Sequence, residues 1–135
     1  MLKLIIGLKG TGKTKTLIEM VNDALHKSEG AVICVEKGNK LTYDVNYQCR
    51  LIDTDAYSVT DFTALYGFIA GILASNHDVT DIFVDSALKI GNNDLAAFPA
   101  FLDAVNKLTE QLGVHCVMTS SVAPEEAPES VKKYL

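Results

Sequence analysis

One short segment decides the fold class of this chain: Ile5–Leu17 reads IIGLKGTGKTKTL. The apolar run LKLII at residues 2–6 predicts a strand, which stops at Gly7. From Lys13 onward, apolar residues recur at the spacing of one helix face, and Gly30 marks the end of that helix. The segment therefore predicts a strand, a glycine-rich turn and a helix in immediate succession.

The rest of the chain continues this alternation of strands and helices. Four further apolar runs predict strands: 31–36, 50–54, 81–85 and 114–120. Two segments with helical periodicity lie among them, one after the N-cap candidates at 58–61 and one from about Pro99 to Gln111. Such alternation favours parallel strands with helices on both faces. We predict an α/β protein, a three-layer α/β/α sandwich around a mainly parallel five-stranded sheet.

Composition limits the classes of protein to consider. The chain has 135 residues, of which 48% are hydrophobic and 21% charged, as expected for one globular domain. No apolar run approaches the roughly 18 residues that span a bilayer, and the start does not resemble a signal peptide, so we expect a cytoplasmic protein without a membrane span. The net charge of −5 argues against direct binding of nucleic acid, which usually requires a basic face.

The cysteines and histidines do not suggest a metal site of their own. Cys34, Cys49 and Cys116 form no CxxC pair, and the three histidines are scattered singly along the chain. Two of the cysteines lie inside apolar runs, where free cysteine behaves as a small buried hydrophobe. We interpret all three as structural residues of a protein in a reducing compartment.

The glycine-rich turn GLKGTGKT, Gly7–Thr14, fits the pattern G-x-x-x-x-G-K-[ST]. Its glycines allow the backbone to curl closely around phosphate oxygens, and the following helix directs its positive end to the same point. Lysine reaches the β- and γ-phosphates, while the hydroxyl binds Mg²⁺. We predict that the whole turn contacts a nucleoside triphosphate: Gly7, Leu8, Lys9, Gly10, Thr11, Gly12, Lys13, Thr14 and Lys15.

Two acidic residues that end predicted strands complete the candidate site. Asp85 follows the apolar residues of DIFVD, and we predict that it holds Mg²⁺ together with Thr14. The position after it is Ser86, so the glutamate that follows this aspartate in many P-loop ATPases is absent. Glu36 ends the strand AVICVE and is the remaining acid at the edge where parallel sheets bind ligands. We predict that Glu36 orients the attacking water.

In this order, the motifs GLKGTGKT, AVICVE, DIFVDSALKI and LGVHCVMTSS resemble those of the RecA-like ATPases, over about residues 1–122. The resemblance implies a RecA-like P-loop fold with strand order 3-2-4-5-1. It also implies that Glu36 is catalytic together with Lys13, and that Asp85 followed by serine forms the metal-site strand. Ser120 and Ser121 fall where that family has a polar pair that senses the γ-phosphate.

The chain departs from the RecA-like pattern in ways that bear on activity. The usual Asn-Gln at the sensor is replaced by two serines, and the strands and DNA-binding loops that normally follow are absent. Arg50 is the only arginine, and a transition-state arginine is worth on the order of 10³ to 10⁵ in rate. We therefore expect slow hydrolysis, or hydrolysis that depends on a homo-oligomer or an activating protein partner. The tail, 123–135, is expected to cover the edge of the sheet or to remain mobile.

Three functions fit the sequence. The first is a minimal RecA-like ATPase that uses Mg²⁺ and ATP, and the second is a nucleotide-binding regulatory or interaction module that does not hydrolyse. A small-molecule kinase ranks last, because no arginine-rich lid is present. ATP is favoured over GTP because an N-K-x-D motif for guanine is missing.

Overall fold

Residues 2–135, which the computed structural model describes, alternate between strands and helices. The strands are β1 (Leu2–Gly7), β2 (Ala31–Glu36), β3 (Arg50–Asp53), β4 (Val79–Val84) and β5 (His115–Ser121). The helices are α1 (Lys13–Lys27), α2 (Phe62–Ser75), α3 (Ala87–Ile90) and α4 (Phe98–Leu112). Single 3₁₀ segments span Thr54–Tyr57, Pro124–Glu126 and Glu129–Tyr134.

The five strands form one sheet in the order β1-β5-β4-β2-β3, which reads 3-2-4-5-1 from the opposite edge. Every ladder between neighbouring strands is parallel. The carboxyl ends of all five strands therefore lie at one edge of the sheet, where Gly7, Glu36, Asp53, Val84 and Ser121 end their strands. The predicted α/β class and five-stranded parallel sheet are confirmed.

Local sequence signals explain most of the element boundaries. Asp61 caps α2 by accepting a hydrogen bond from the Ala64 backbone N–H at 2.8 Å, and Gly113 ends α4 with φ of 67°. Two predicted boundaries were wrong by two residues or more: β4 begins at Val79, so Asp81 lies inside the strand and does not open it, and α1 ends at Lys27, before Gly30. Within residues 2–135, none of the helices combines the length and the apolar character that a bilayer span requires.

The two faces of the sheet are covered differently. The α1 face holds a small core, in which Leu17 and Val21 of the helix pack with strand residues and with Leu41 and Val45 of the segment 37–49. The opposite face holds the larger core, built with α2, α3 and α4. Alternate residues of each strand thus contribute to different layers. This places α1 and the glycine-rich turn on the thinner side of the sheet.

The segment after β5 folds back against β1 and α4. Val131 and Tyr134 are buried in the same core as Leu2 and Leu4 of β1. The Tyr134 hydroxyl donates a hydrogen bond to Asp103 of α4. Lys133 forms an ion pair with the same carboxylate, with 3.1 Å between Nζ and Oδ1. The tail is thereby attached to the edge of the sheet that β1 occupies.

The Tyr134–Asp103 contact leads to a pH-dependent prediction. The hydrogen bond from Tyr134, together with Lys133, lowers the pKa of Asp103. The stabilisation is therefore present above the unfolded pKa of about 3.9 and is lost as the pH falls through the lower folded value. Because Asp103 is exposed, we expect Tyr134→Phe to lower the free energy of unfolding at pH 7 by about 1 kcal/mol or less.

Urea denaturation of wild type and Tyr134→Phe between pH 3 and pH 7 measures this difference. Tyr43→Phe is the matched control, because the Tyr43 side chain is 97% exposed and its change should leave stability unaltered. A difference that stays constant down to pH 3 would contradict the assigned role of the ionised Asp103.

Candidate functional site

The glycine-rich turn links the end of β1 to the start of α1. Gly10 and Gly12 have φ of 85° and 86°, a region that other residues rarely adopt. Gly7 has a different constraint, since a Cβ there would lie 2.6 Å from Thr11 Oγ1. The Thr11 hydroxyl in turn donates to the Leu8 carbonyl at 2.7 Å, which closes the turn on itself. A tightly curled and largely exposed backbone results.

The amino end of α1 is electrostatically suited to an anion. Its N-cap, Gly12, offers no side-chain oxygen, and the first turn contains no acidic residue. The first backbone N–H groups of the helix are therefore left without a side-chain acceptor, and the helix dipole adds positive charge there. Among the described residues, the ion pairs use other lysines, so the charges of Lys9, Lys13 and Lys15 are not neutralised by a carboxylate.

Lys13 lies at the centre of this positive end. Its ammonium group donates to the Leu8 backbone carbonyl at 2.8 Å, across the turn. The contact is exposed to solvent, so exchanging it for a stronger acceptor costs little. A phosphate oxygen is such an acceptor, because hydrogen bonds between charged groups are about twice as strong as neutral ones.

Thr14 and Asp85 lie close together although 71 residues separate them in the chain. The Thr14 hydroxyl is 3.3 Å from Asp85 Oδ1 and 3.4 Å from Oδ2. These distances exceed those of a normal O–H···O hydrogen bond, so the contact is loose. Asp85 itself is 8% exposed, and its backbone N–H donates to the Val35 carbonyl of β2 at 2.9 Å.

The donor set of this pair suits Mg²⁺. Magnesium prefers oxygen ligands and is usually held by one or two protein groups together with phosphate oxygens and water. The hydroxyl of Thr14 and the carboxylate of Asp85 meet that description. Residues 2–135 contain no group of three or more histidine, cysteine, aspartate and glutamate side chains that could hold a metal without such help.

Thr119 belongs to the same cluster, although the sequence analysis did not single it out. Its hydroxyl donates to Asp85 Oδ1 at 2.7 Å and accepts a hydrogen bond from the Ser86 backbone N–H at 2.8 Å. The side chain is 1% exposed and lies two residues after Val117, on the α1 face of β5. The sequence did contain a signal for this residue. Side chains alternate between the two faces along β5, and this alternation places the polar side chain of Thr119 on the face that carries α1.

Glu36 lies at the end of β2, and its carboxylate binds the segment that follows it. Oε1 accepts from the Lys40 backbone N–H at 3.0 Å, and Oε2 accepts from the Leu41 N–H at 3.1 Å. Burial raises the pKa of this carboxyl, the two N–H donors lower it, and the charges of Asp85 and Asp53 raise it again. Glu36 is 2% exposed. It therefore anchors the segment 37–49 as well as lying near Asp85.

The two serines predicted as a sensor lie on opposite faces of the sheet. Ser120 is fully buried, and its hydroxyl accepts from the Leu88 backbone N–H at 3.2 Å, at the start of α3. Ser121 is exposed and pairs with Gly7 in the β1–β5 ladder, next to the glycine-rich turn. The structure thus brings Ser121, but not the Ser120 hydroxyl, to the side of the sheet that carries α1.

Arg50 lies far from this cluster. It is the first residue of β3, which forms the edge of the sheet opposite to β1. Arg50 therefore lies at the amino ends of the strands, whereas the candidate site lies at their carboxyl ends. Four strand spacings of about 4.8 Å place β3 roughly 19 Å from β1. Arg50 therefore cannot reach the glycine-rich turn of its own chain.

Comparison with known proteins adds no family to this description. A scan against protein-family models finds no match to the chain. A search of the curated proteins likewise finds no match.

Proposed function

We propose that this protein binds Mg²⁺ and ATP at the turn Gly7–Thr14 and acts as a RecA-like P-loop ATPase that is slow, or active only with a partner. The single observation that carries the proposal is the meeting of Thr14 with Asp85 beside the uncapped amino end of α1. It joins a phosphate-binding turn to a carboxylate suited to magnesium. The two groups come from distant parts of the chain, so their proximity results from the fold.

Each residue has a defined part in the proposed reaction. Lys13 neutralises the β- and γ-phosphates, and the amides of the turn surround their oxygens. Thr14 and Asp85 hold Mg²⁺, which when bound neutralises charge that develops on the phosphates. Glu36 orients water with the lone pairs that its bonds to Lys40 and Leu41 leave free. Ser121 is the better placed of the two serines to contact the γ-phosphate.

The topology supports the RecA-like assignment. The observed sheet order has the strand of Asp85 between the strand of Glu36 and the strand of the two serines, with β1 at the edge. All four strands direct their carboxyl ends to the same edge, where ligands bind in open parallel sheets.

Calorimetric titration of the wild-type protein with a non-hydrolysable ATP analogue tests the proposal. We expect binding that becomes tighter when Mg²⁺ is added and weaker when it is chelated. A wild-type protein that binds neither the ATP nor the GTP analogue would contradict it.

A second candidate, a nucleotide-binding module that does not hydrolyse, is favoured by the bonds of Glu36. Both of its carboxylate oxygens already accept hydrogen bonds from the segment 37–49. Arg50 is too distant to supply the missing positive charge in the same chain. On this view, Glu36 transmits the state of the nucleotide to the segment that carries the exposed Tyr43 and Tyr47.

ATP turnover of the Glu36→Gln variant distinguishes the two candidates. If Glu36 orients water, we expect turnover to fall by about 100-fold, the lower range of general-base effects, while affinity for the analogue changes little. Thr42→Val is the control for a loosened segment, because the Thr42 hydroxyl donates to the Asn39 carbonyl at 3.0 Å within the segment 37–49 and carries no charge that acts on Glu36. A wild type without turnover supports the second candidate, and equal losses in both variants contradict the role in water activation.

A further inference from the structure

The hydroxyl of Thr119 is the most firmly bound partner of the Asp85 carboxylate. Thr119 Oγ1 lies 2.7 Å from Asp85 Oδ1, whereas Thr14 Oγ1 lies 3.3 Å from the same oxygen. The threonine is 1% exposed, so water does not compete for this bond. The orientation of the carboxylate is therefore set from β5, before any ligand arrives.

The backbone around Asp85 explains why a side chain is needed there. The β4–β5 ladder ends at the pair Val84 and Met118, one residue before Asp85 and Thr119. Beyond that point, Ser86 adopts φ of 57°, a strained conformation for a residue with a Cβ. Its N–H turns to Thr119 Oγ1 at 2.8 Å. The Thr119 hydroxyl thus takes the place of a backbone acceptor and continues the connection between β4 and β5.

The proton of Thr119 can serve only one acceptor. Because Thr119 Oγ1 accepts from the Ser86 N–H, its own proton is directed to Asp85 Oδ1. Oδ1 thus has a firm donor in Thr119, whereas Oδ2 has only the loose contact with the Thr14 hydroxyl at 3.4 Å. Oδ2 is therefore the oxygen of Asp85 that is freer to bind a metal ion.

We propose that Thr119 is a positioning residue for the metal site, which holds the Asp85 carboxylate in the orientation that serves Mg²⁺ beside Thr14. This inference rests on the proposed function and identifies a residue that acts through Asp85 and does not contact the nucleotide. Residues that orient a metal ligand in this way typically change metal affinity by about 10- to 100-fold when removed.

Titration with a non-hydrolysable ATP analogue, in Mg²⁺ and in EDTA, tests the role of Thr119. Thr119→Val keeps the shape of the side chain but removes the hydroxyl. We expect the ratio of the affinities in Mg²⁺ and in EDTA to be smaller in this variant than in the wild type, by about 10-fold or more. Its affinity in EDTA should match that of the wild type. Thr119→Ser retains the hydroxyl and should restore the gain, which a purely packing role of Thr119 would not predict.

Three results would overturn the inference: an unchanged Mg²⁺-dependent gain in Thr119→Val, an equal loss in the valine and serine variants, or a loss of the same size in EDTA. If Thr119→Val does not fold, Thr119→Cys replaces it, because a thiol is a weaker donor and acceptor. The cysteine variant should then lose part of the gain, and a full gain would overturn the inference. A wild type that binds no nucleotide refutes the proposed function itself, whereas a wild type with normal Mg²⁺-dependent binding leaves only Thr119 under test.

Discussion

Replacing Lys13 with alanine is expected to weaken the binding of an ATP analogue by about 100-fold. The substitution removes a charge-assisted hydrogen bond to phosphate, worth about 1.5–3 kcal/mol, and tenfold in affinity corresponds to about 1.4 kcal/mol. Within residues 2–135, the hydrogen bond of the ammonium goes to the exposed Leu8 carbonyl. The variant should therefore keep the stability of the wild type. Calorimetric titration in Mg²⁺ measures the affinity, and thermal unfolding verifies the fold.

Lys107→Ala is the matched control for the loss of one positive charge. Lys107 is exposed on α4, which packs on the face of the sheet opposite to α1. Removal of this charge should change the affinity for the analogue by less than about twofold, since salt largely screens an exposed charge that the sheet separates from the glycine-rich turn. Equal affinities of wild type and Lys13→Ala would refute nucleotide binding at the turn Gly7–Thr14.

Replacing Gly30 with alanine is expected to destabilise the protein by about 3 kcal/mol or more. A Cβ at this position would lie 2.0 Å from the backbone carbonyl oxygen of Asp78 and 2.9 Å from Thr80 Cγ2. The Asp78 carbonyl cannot simply move away, because it accepts a hydrogen bond from the Ala31 N–H at 2.8 Å. That bond joins the starts of β2 and β4, so relief of the clash disrupts the register of two central strands.

Gly71→Ala provides the control for this substitution. Gly71 is exposed in α2, and nothing lies within 4 Å of a Cβ built there. Alanine should stabilise the helix by about 0.5–1 kcal/mol. Chemical denaturation of both variants measures the two changes, which are expected to have opposite signs. A Gly30→Ala variant as stable as the wild type would show that the close approach to Asp78 is not maintained in solution.

Much of the fold could be predicted because its signals are local. The run AVICVE gave β2 its observed bounds, Ala31–Glu36, and the change from apolar run to glycine-rich turn located β1 and α1. The short helix α3 was not predicted, since four residues are too few to show a helical period. The start of β4 was also placed too late, because Val79 and Thr80 precede the apolar run that defined the strand.

The candidate site was harder to predict because its contacts join distant parts of the chain. The pairing of Thr14 with Asp85 was expected from the motifs, and the structure brings the two side chains together. Thr119 was missed because the alternation along β5 indicates only its face of the sheet, whereas its contact with Asp85 depends on the register between β4 and β5. The bonds from Glu36 to Lys40 and Leu41 were missed for a related reason. They depend on how the segment 37–49 folds back, and that segment lacks periodicity.

The pairing of β1 with β5 has a consequence for the order in which the protein folds as it is synthesised. During synthesis, the turn Gly7–Thr14 is made before β5, the strand that β1 pairs with, and β5 follows the other four strands in the chain. Contacts between such distant segments form late, because closing a long loop is entropically costly. If the turn binds ATP as proposed, ATP therefore cannot guide the early folding of these strands. It can only stabilise the finished domain, by an amount that depends on its concentration relative to the dissociation constant.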